Sequence, residues 1–253
     1  TFGVCYTTQA RWGKALLDKD PQKLLRVLAG SGAPRKLTAQ VRSFVETIYP
    51  AVHAQDTPDP RATMPERPTV ATHAWTVAPG YVELETGFEW DRNPDNSHAL
   101  LTPTVLKVGL APRIQLGIAG SFIRPPGEAI GVGDLSIGVK FRVLESNSIL
   151  GALAFQPAIK LPIADHIHGS GTTDASLLLI CSHQFGAASL DLNAGYTRRS
   201  GDGSRAPRDA TVWAIAGAVP LAGVLGFTAE LFGFPGTGGA AGSRGTVALL
   251  GGP

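Results

Sequence analysis

Three short patterns in this chain invite a chemical reading. Asp165-His166-Ile167-His168 sets two histidines two residues apart, and an extended backbone puts both rings on one side, a workable metal-ligand geometry. No third ligand is identifiable by spacing, so the stretch reads as a solvated loop and no metal is expected. Ser182 beside His183 offers a nucleophile next to a base. Neighbours on a strand point to opposite faces, however, so the two cannot pair. A Gly-x-Ser-x-Gly elbow is also missing. The glycine-rich residues 236–242 lack the Lys-Ser/Thr and the following helix that a phosphate cradle requires. The expectation is a protein without catalytic residues or cofactor, and not an enzyme.

A further set of polar residues alternates with apolar ones. It comprises Glu83, Glu85, Glu89, Lys107, Gln115, Asp134, Lys140, Arg142, Gln156, Lys160, Asp174, Asp191, Asn193 and Glu230. The clearest instance is residues 133–144. There Leu135, Ile137, Val139, Phe141 and Val143 share one face, and Asp134, Ser136, Gly138, Lys140 and Arg142 share the other. Such alternation is a strand, of the length a tilted strand needs to cross a bilayer's hydrocarbon core. Strands of soluble sandwiches are usually nearer five or six residues. In residues 80–90, Glu83, Glu85 and Glu89 fall on one face, which a dry core would not tolerate but a watery lumen would. The set is therefore read as lining the lumen of a transmembrane barrel. Acids and bases both occur, so two roles stay open: a polar channel that sets selectivity, or ion pairs that hold a plugged barrel.

Composition agrees without deciding. Hydrophobic residues make up 43% of the 253-residue chain, charged residues 17%, and there are 31 glycines. No apolar run approaches the length of a transmembrane helix. The formal charge of +2 argues against a nucleic-acid partner, and Cys5 and Cys181 form neither a zinc spacing nor a disulfide framework.

Residues 1–54 differ from the rest. Helices are expected over Gln9 to Leu17, from Asp20-Pro21 to Val27, and over Lys36 to Ile48. Val52-His53-Ala54-Gln55 suits a signal peptidase, but the preceding Phe44 to Pro50 is a poor apolar segment. The segment reads either as a helical N-terminal extension or as targeting or upstream sequence that is not part of the mature protein. Residues 55–68, rich in Pro, Asp and Thr, read as a linker, and residues 69–253 as the barrel. Ten strands are expected, the last one incomplete. Connections alternate between long (91–98, 124–132, 164–172, 200–208, 234–243) and short (111–112, 145–148, 186–188, 220–223). That alternation marks an up-and-down antiparallel outer-membrane barrel, with short periplasmic turns and long external loops. A soluble β-sandwich is the alternative architecture.

Several motifs also resemble a known family. They are Arg67-Pro68 followed by Gly80 to Trp90, then Gly133-Asp134 with Gly138-Val139-Lys140. Next come Lys160-Leu161-Pro162 with Gly171-Thr172-Thr173-Asp174, then Asn193-Ala194-Gly195-Tyr196, and Ala229-Glu230. In order and spacing they resemble the bacterial family called MetA-pathway of phenol degradation, over residues 67–253. The resemblance implies an outer-membrane barrel of about twelve strands, of which this chain would hold nine to ten. It also implies passage of small, often aromatic or hydrophobic solutes. The partners implied are membrane lipid and a small solute, with the oligomeric state left open. A plugged structural barrel without transport, and a soluble sandwich binding protein, are the competing functions.

Overall fold

The computed structural model describes residues 65–66, 69–93, 95–145, 151–204, 206–221, 226–238, 242 and 244–252, and the backbone of 6–12, 222 and 225. The strands in chain order are β1 (Tyr6–Trp12), β2 (Val82–Arg92), β3 (His98–Ala111), β4 (Ile114–Arg124), β5 (Gly131–Val132) and β6 (Leu135–Leu144). They continue with β7 (Ala152–Leu161), β8 (Asp174–Phe185), β9 (Ala188–Arg199), β10 (Asp209–Ala222), β11 (Leu225–Phe234) and β12 (Thr246–Gly252). Every pairing is antiparallel and joins neighbours in sequence, except that β4 pairs with β6 past the short β5, which itself pairs with β4. One continuous up-and-down sheet results. It replaces the sandwich alternative, which would need two sheets packed face to face.

Up-and-down order carries the long connections to one end. The described parts of 93–97, 125–134, 162–173, 200–208 and 235–245 lie there, and the Pro112-Arg113 and Gly186-Ala187 turns at the other, while the expected short connections 145–148 and 220–223 fall partly outside the described residues. β1 overlaps the start of the helix expected over residues 9–17. The remaining helices, the cleavage-like residues 52–55, the linker as far as residue 64, and Arg67-Pro68 lie outside the described residues. Residues 69–79, expected to open the barrel, are not strand.

The sheet has inverted polarity. On β6, Lys140 is 1% exposed while Ile137, three residues before it, is 39% exposed. Phe88, Phe122, Leu179, Ile215 and Leu231 are likewise exposed, while Glu83, Lys107, Asn193 and Glu230 are buried. The sheet is also strongly curled. Glu66 is held by β2 and Val70 by β11, although four residues of chain span at most about 14 Å. A flat sheet would separate those strands by about 38 Å, at roughly 4.8 Å per strand. The sheet therefore wraps around the segment that bridges it. No ladder joins β12 to β1 or β2 among the described residues.

Candidate functional site

The interior has two layers. In the layer nearer the short turns, inward carboxylates and amines meet because the antiparallel register sets them opposite one another. Glu83 faces Lys107 across β2 and β3, and Lys107 Nζ lies 3.0 Å from Glu83 Oε1 while also binding Glu85. Gln115 faces Lys140 across β4 and β6.

Most of this layer turns onto Glu66 and onto one segment, residues 69–77, threaded through the interior. A buried backbone outside any ladder must find partners for its N–H groups, and here inward side chains supply them. The Val77 N–H donates to Gln115 Oε1 at 2.8 Å and the Ala74 N–H to Ser182 Oγ at 2.7 Å. The Thr72 N–H donates to Asn193 Oδ1 at 2.8 Å, and Asn193 Nδ2 donates back to the Thr72 carbonyl at 2.8 Å. Glu230 accepts from the Val70 and Ala71 N–H groups at 2.8 and 2.5 Å. The Glu66 N–H donates to both Glu85 oxygens. The Lys140 ammonium binds the Glu66 carboxylate and donates to the His73 carbonyl at 2.9 Å. The Arg142 guanidinium lies 5.2 Å from the Trp75 ring centre and donates to the Pro112 carbonyl at 3.0 Å.

Small residues make room for this plug. Ala152 and Ala154 with Ile180 pack against Ala74, and Ala214 and Ala216 pack against Ala71. Where the plug leaves, β3 presents Gly109. A Cβ there would stand 2.0 Å from the Ala78 carbonyl oxygen, so only glycine admits the crossing. Gly80, at φ 78°, then turns the chain into β2.

The layer nearer the long loops holds a cavity of about 840 Å3. Asp134, Lys160 and Asp174, from three separate sequence motifs, converge there. Lys160 Nζ lies 3.0 Å from Asp134 Oδ2 and 3.2 Å from Asp174 Oδ2, and Arg199 Nε lies 3.5 Å from Asp174 Oδ2. The Ser170 N–H and hydroxyl donate to Asp134 at 3.0 and 2.9 Å, and the Thr172 hydroxyl donates to Asp174 at 2.7 Å. Two acids and two bases thus cancel. The rest of the lining is largely apolar and includes Ile123, Ile167, Pro207, Phe234 and Pro235.

The other residues of the set fall around these layers. Asp191 accepts from the Ser182 hydroxyl at 2.5 Å, Gln156 buries an Oε1 that has no hydrogen-bond partner among the described residues, and Glu89 is half-buried further along β2. Sequence spacing missed Glu66, Ser182, Arg199 and the plug itself. The inward alanines of β7 and β10 were the available signal, because a lumen that has only water to hold does not call for small side chains.

The remaining patterns resolve locally. Ser182 points inward and His183 stacks on Phe185, on the other face. Both ring nitrogens of His168 are engaged, Nδ1 with Asp165 Oδ1 at 2.7 Å and Nε2 with the Ala129 carbonyl at 3.0 Å. Part of the glycine-rich 236–242 loop lies outside the described residues.

No curated protein matches the chain. The family match begins at the plug's Glu66, ends in β12, and covers well over half the sequence. Over residues 66–252 the chain matches, and so belongs to, the MetA-pathway of phenol degradation family.

Proposed function

We propose that this protein is an outer-membrane β-barrel through which small, apolar or aromatic molecules cross passively. The observation that carries the membrane reading is the inverted sheet. Burying Glu83, Lys107 and Glu230 while exposing Phe88, Ile137 and Leu231 would be costly in water, and it is the arrangement a lipid-facing barrel requires. Backbone groups facing lipid must be paired within the protein, and the strands from β2 to β11 are each laddered on both sides, the short β5 apart. The cavity at the long-loop end, where apolar side chains sit beside mutually paired charges, supports capture of uncharged solutes from outside. Opposite placement of Ser182 and His183 supports a non-catalytic role.

A second reading, a plugged structural barrel without transport, draws on the plug. Its hydrogen bonds fill the turn-side interior, so solute must either displace it or leave sideways.

Expression in a bacterium with an outer membrane, followed by fractionation and gel migration with and without boiling, tests the membrane reading. The expected result is an outer-membrane band that runs faster unboiled. A soluble band indifferent to boiling would overturn the reading. Liposome swelling with a neutral aromatic solute then separates the two functions, since flux above protein-free vesicles supports transport and none supports the plugged barrel.

A further inference from the structure

The outward face carries an asymmetric charge pattern that neither the plug nor the mouth uses. At the long-loop rim, β2 ends in Arg92, β3 begins with His98 and β4 ends in Arg124, all exposed. Arg92 sits opposite His98, and Leu100 opposite Arg124, so the three occupy adjacent strands on one face. Two strand spacings across and two residues along separate Arg92 from Arg124 by about 12 Å at the backbone, within the joint reach of two arginine side chains.

Neither arginine has a carboxylate within ion-pair distance among the described residues. Arg92 instead donates through Nε and Nη2 to the neutral Asn96 Oδ1, at 3.1 and 2.5 Å. The nearby loop acid, Asp95, is turned onto the Ser97 N–H and hydroxyl at 2.9 and 2.6 Å. Arg198, also outward at this rim, is neutralised by Asp209 at 2.5 Å. At the opposite rim, Arg113 is neutralised by Glu145 at 2.9 Å. Directly below the cluster lies Trp90, its ring stacked 4.6 Å from that of His98. A tryptophan at that height marks a membrane–water boundary.

We propose that Arg92, His98 and Arg124 form a docking surface for the phosphate of a phosphorylated lipid headgroup in the outer leaflet. This rests on the membrane reading above. The guanidinium forks supply bidentate donors to phosphate oxygens. The apolar face below, with Phe88 and Phe122, accepts the acyl chains of the same molecule, which is why the surface fits a lipid and not a free anion.

The test uses the full chain folded in detergent, with bis-phosphorylated lipid A as probe and binding read by native mass spectrometry. Arg92→Gln with Arg124→Gln should weaken binding about fivefold for each arginine, equivalent to ~1 kcal/mol apiece. Arg113→Gln should change nothing. The Arg92→Lys, Arg124→Lys variant keeps the charges but loses the forks, so it should bind more weakly than the parent chain and more tightly than the glutamine pair. The dephosphorylated probe, which needs no variant, keeps the test decisive if the glutamine pair does not fold. Dephosphorylated lipid A should bind far more weakly, and millimolar inorganic phosphate should not compete. Equal binding by the glutamine pair or by dephosphorylated lipid A would overturn the proposal, as would displacement by inorganic phosphate. If the protein fractionates with the outer membrane yet shows any of these, the docking surface alone fails.

Discussion

Lys140 and Ile137 lie on one strand three residues apart and experience opposite environments. Lys140 is enclosed by Glu66, Thr72 and the His73 carbonyl, whereas Ile137 looks outward. Lys140→Met leaves the Glu66 carboxylate buried without its ammonium, a loss of about 3–5 kcal/mol. It should appear as a lower urea midpoint for the unboiled, fast-migrating band. Ile137→Lys places a charge on the outward face and should impair membrane assembly by about 2–4 kcal/mol if the residue lies near the midplane. Normal assembly of that variant would mean the outward face does not meet lipid. Gly131 is a third residue-scale constraint. A Cβ there would stand 2.4 Å from the His168 ring, so Gly131→Ala should displace the ring from its seat.

At the scale of elements, the plug and the long loops each depend on few contacts. Glu230 alone holds two consecutive N–H groups of the plug. Glu230→Ala removes two charge-assisted hydrogen bonds worth about 1.5–3 kcal/mol each. It should speed proteolysis within residues 69–77 and, if the plug blocks the solute path, raise liposome swelling rates. His168 ties the 162–173 loop to the 125–130 loop. Its pKa is raised, first by the Ala129 carbonyl that accepts from the ring and then by the Asp165 carboxylate, with Glu128 nearby. A raised histidine value means the tie is fully present below the ordinary value of about 6.5 and is lost as pH rises through the folded value. Hydrogen exchange in residues 164–172, measured relative to residues 95–97, should accelerate across that window. His168→Gln should abolish the acceleration.

Across the whole molecule, one sheet curls around one segment, and the two ends of that sheet differ. Short turns close the plugged end, while long loops frame the cavity and the arginine rim. Strand positions and facing were legible in the sequence because the period of two is a local property, repeated in ten strands and least clear where β8 is apolar on both faces. There Leu178 and Ile180 turn inward and pack with Trp75 and the Ala74 cluster. The inward placement of Glu83, Lys107, Lys140 and Glu230 followed from the same period. Their partners did not, because a partner's identity depends on register and on how tightly the sheet curls. Glu83 and Lys107 are 24 residues apart, and Glu230 meets Val70 across 160. By itself the sequence determined an antiparallel up-and-down sheet with its charged face turned one way. Only the tertiary structure decided that this face closes on Glu66 and residues 69–77 and that Asp134, Lys160 and Asp174 meet at one mouth. Curling a sheet brings together side chains whose separation along the chain carries no signal.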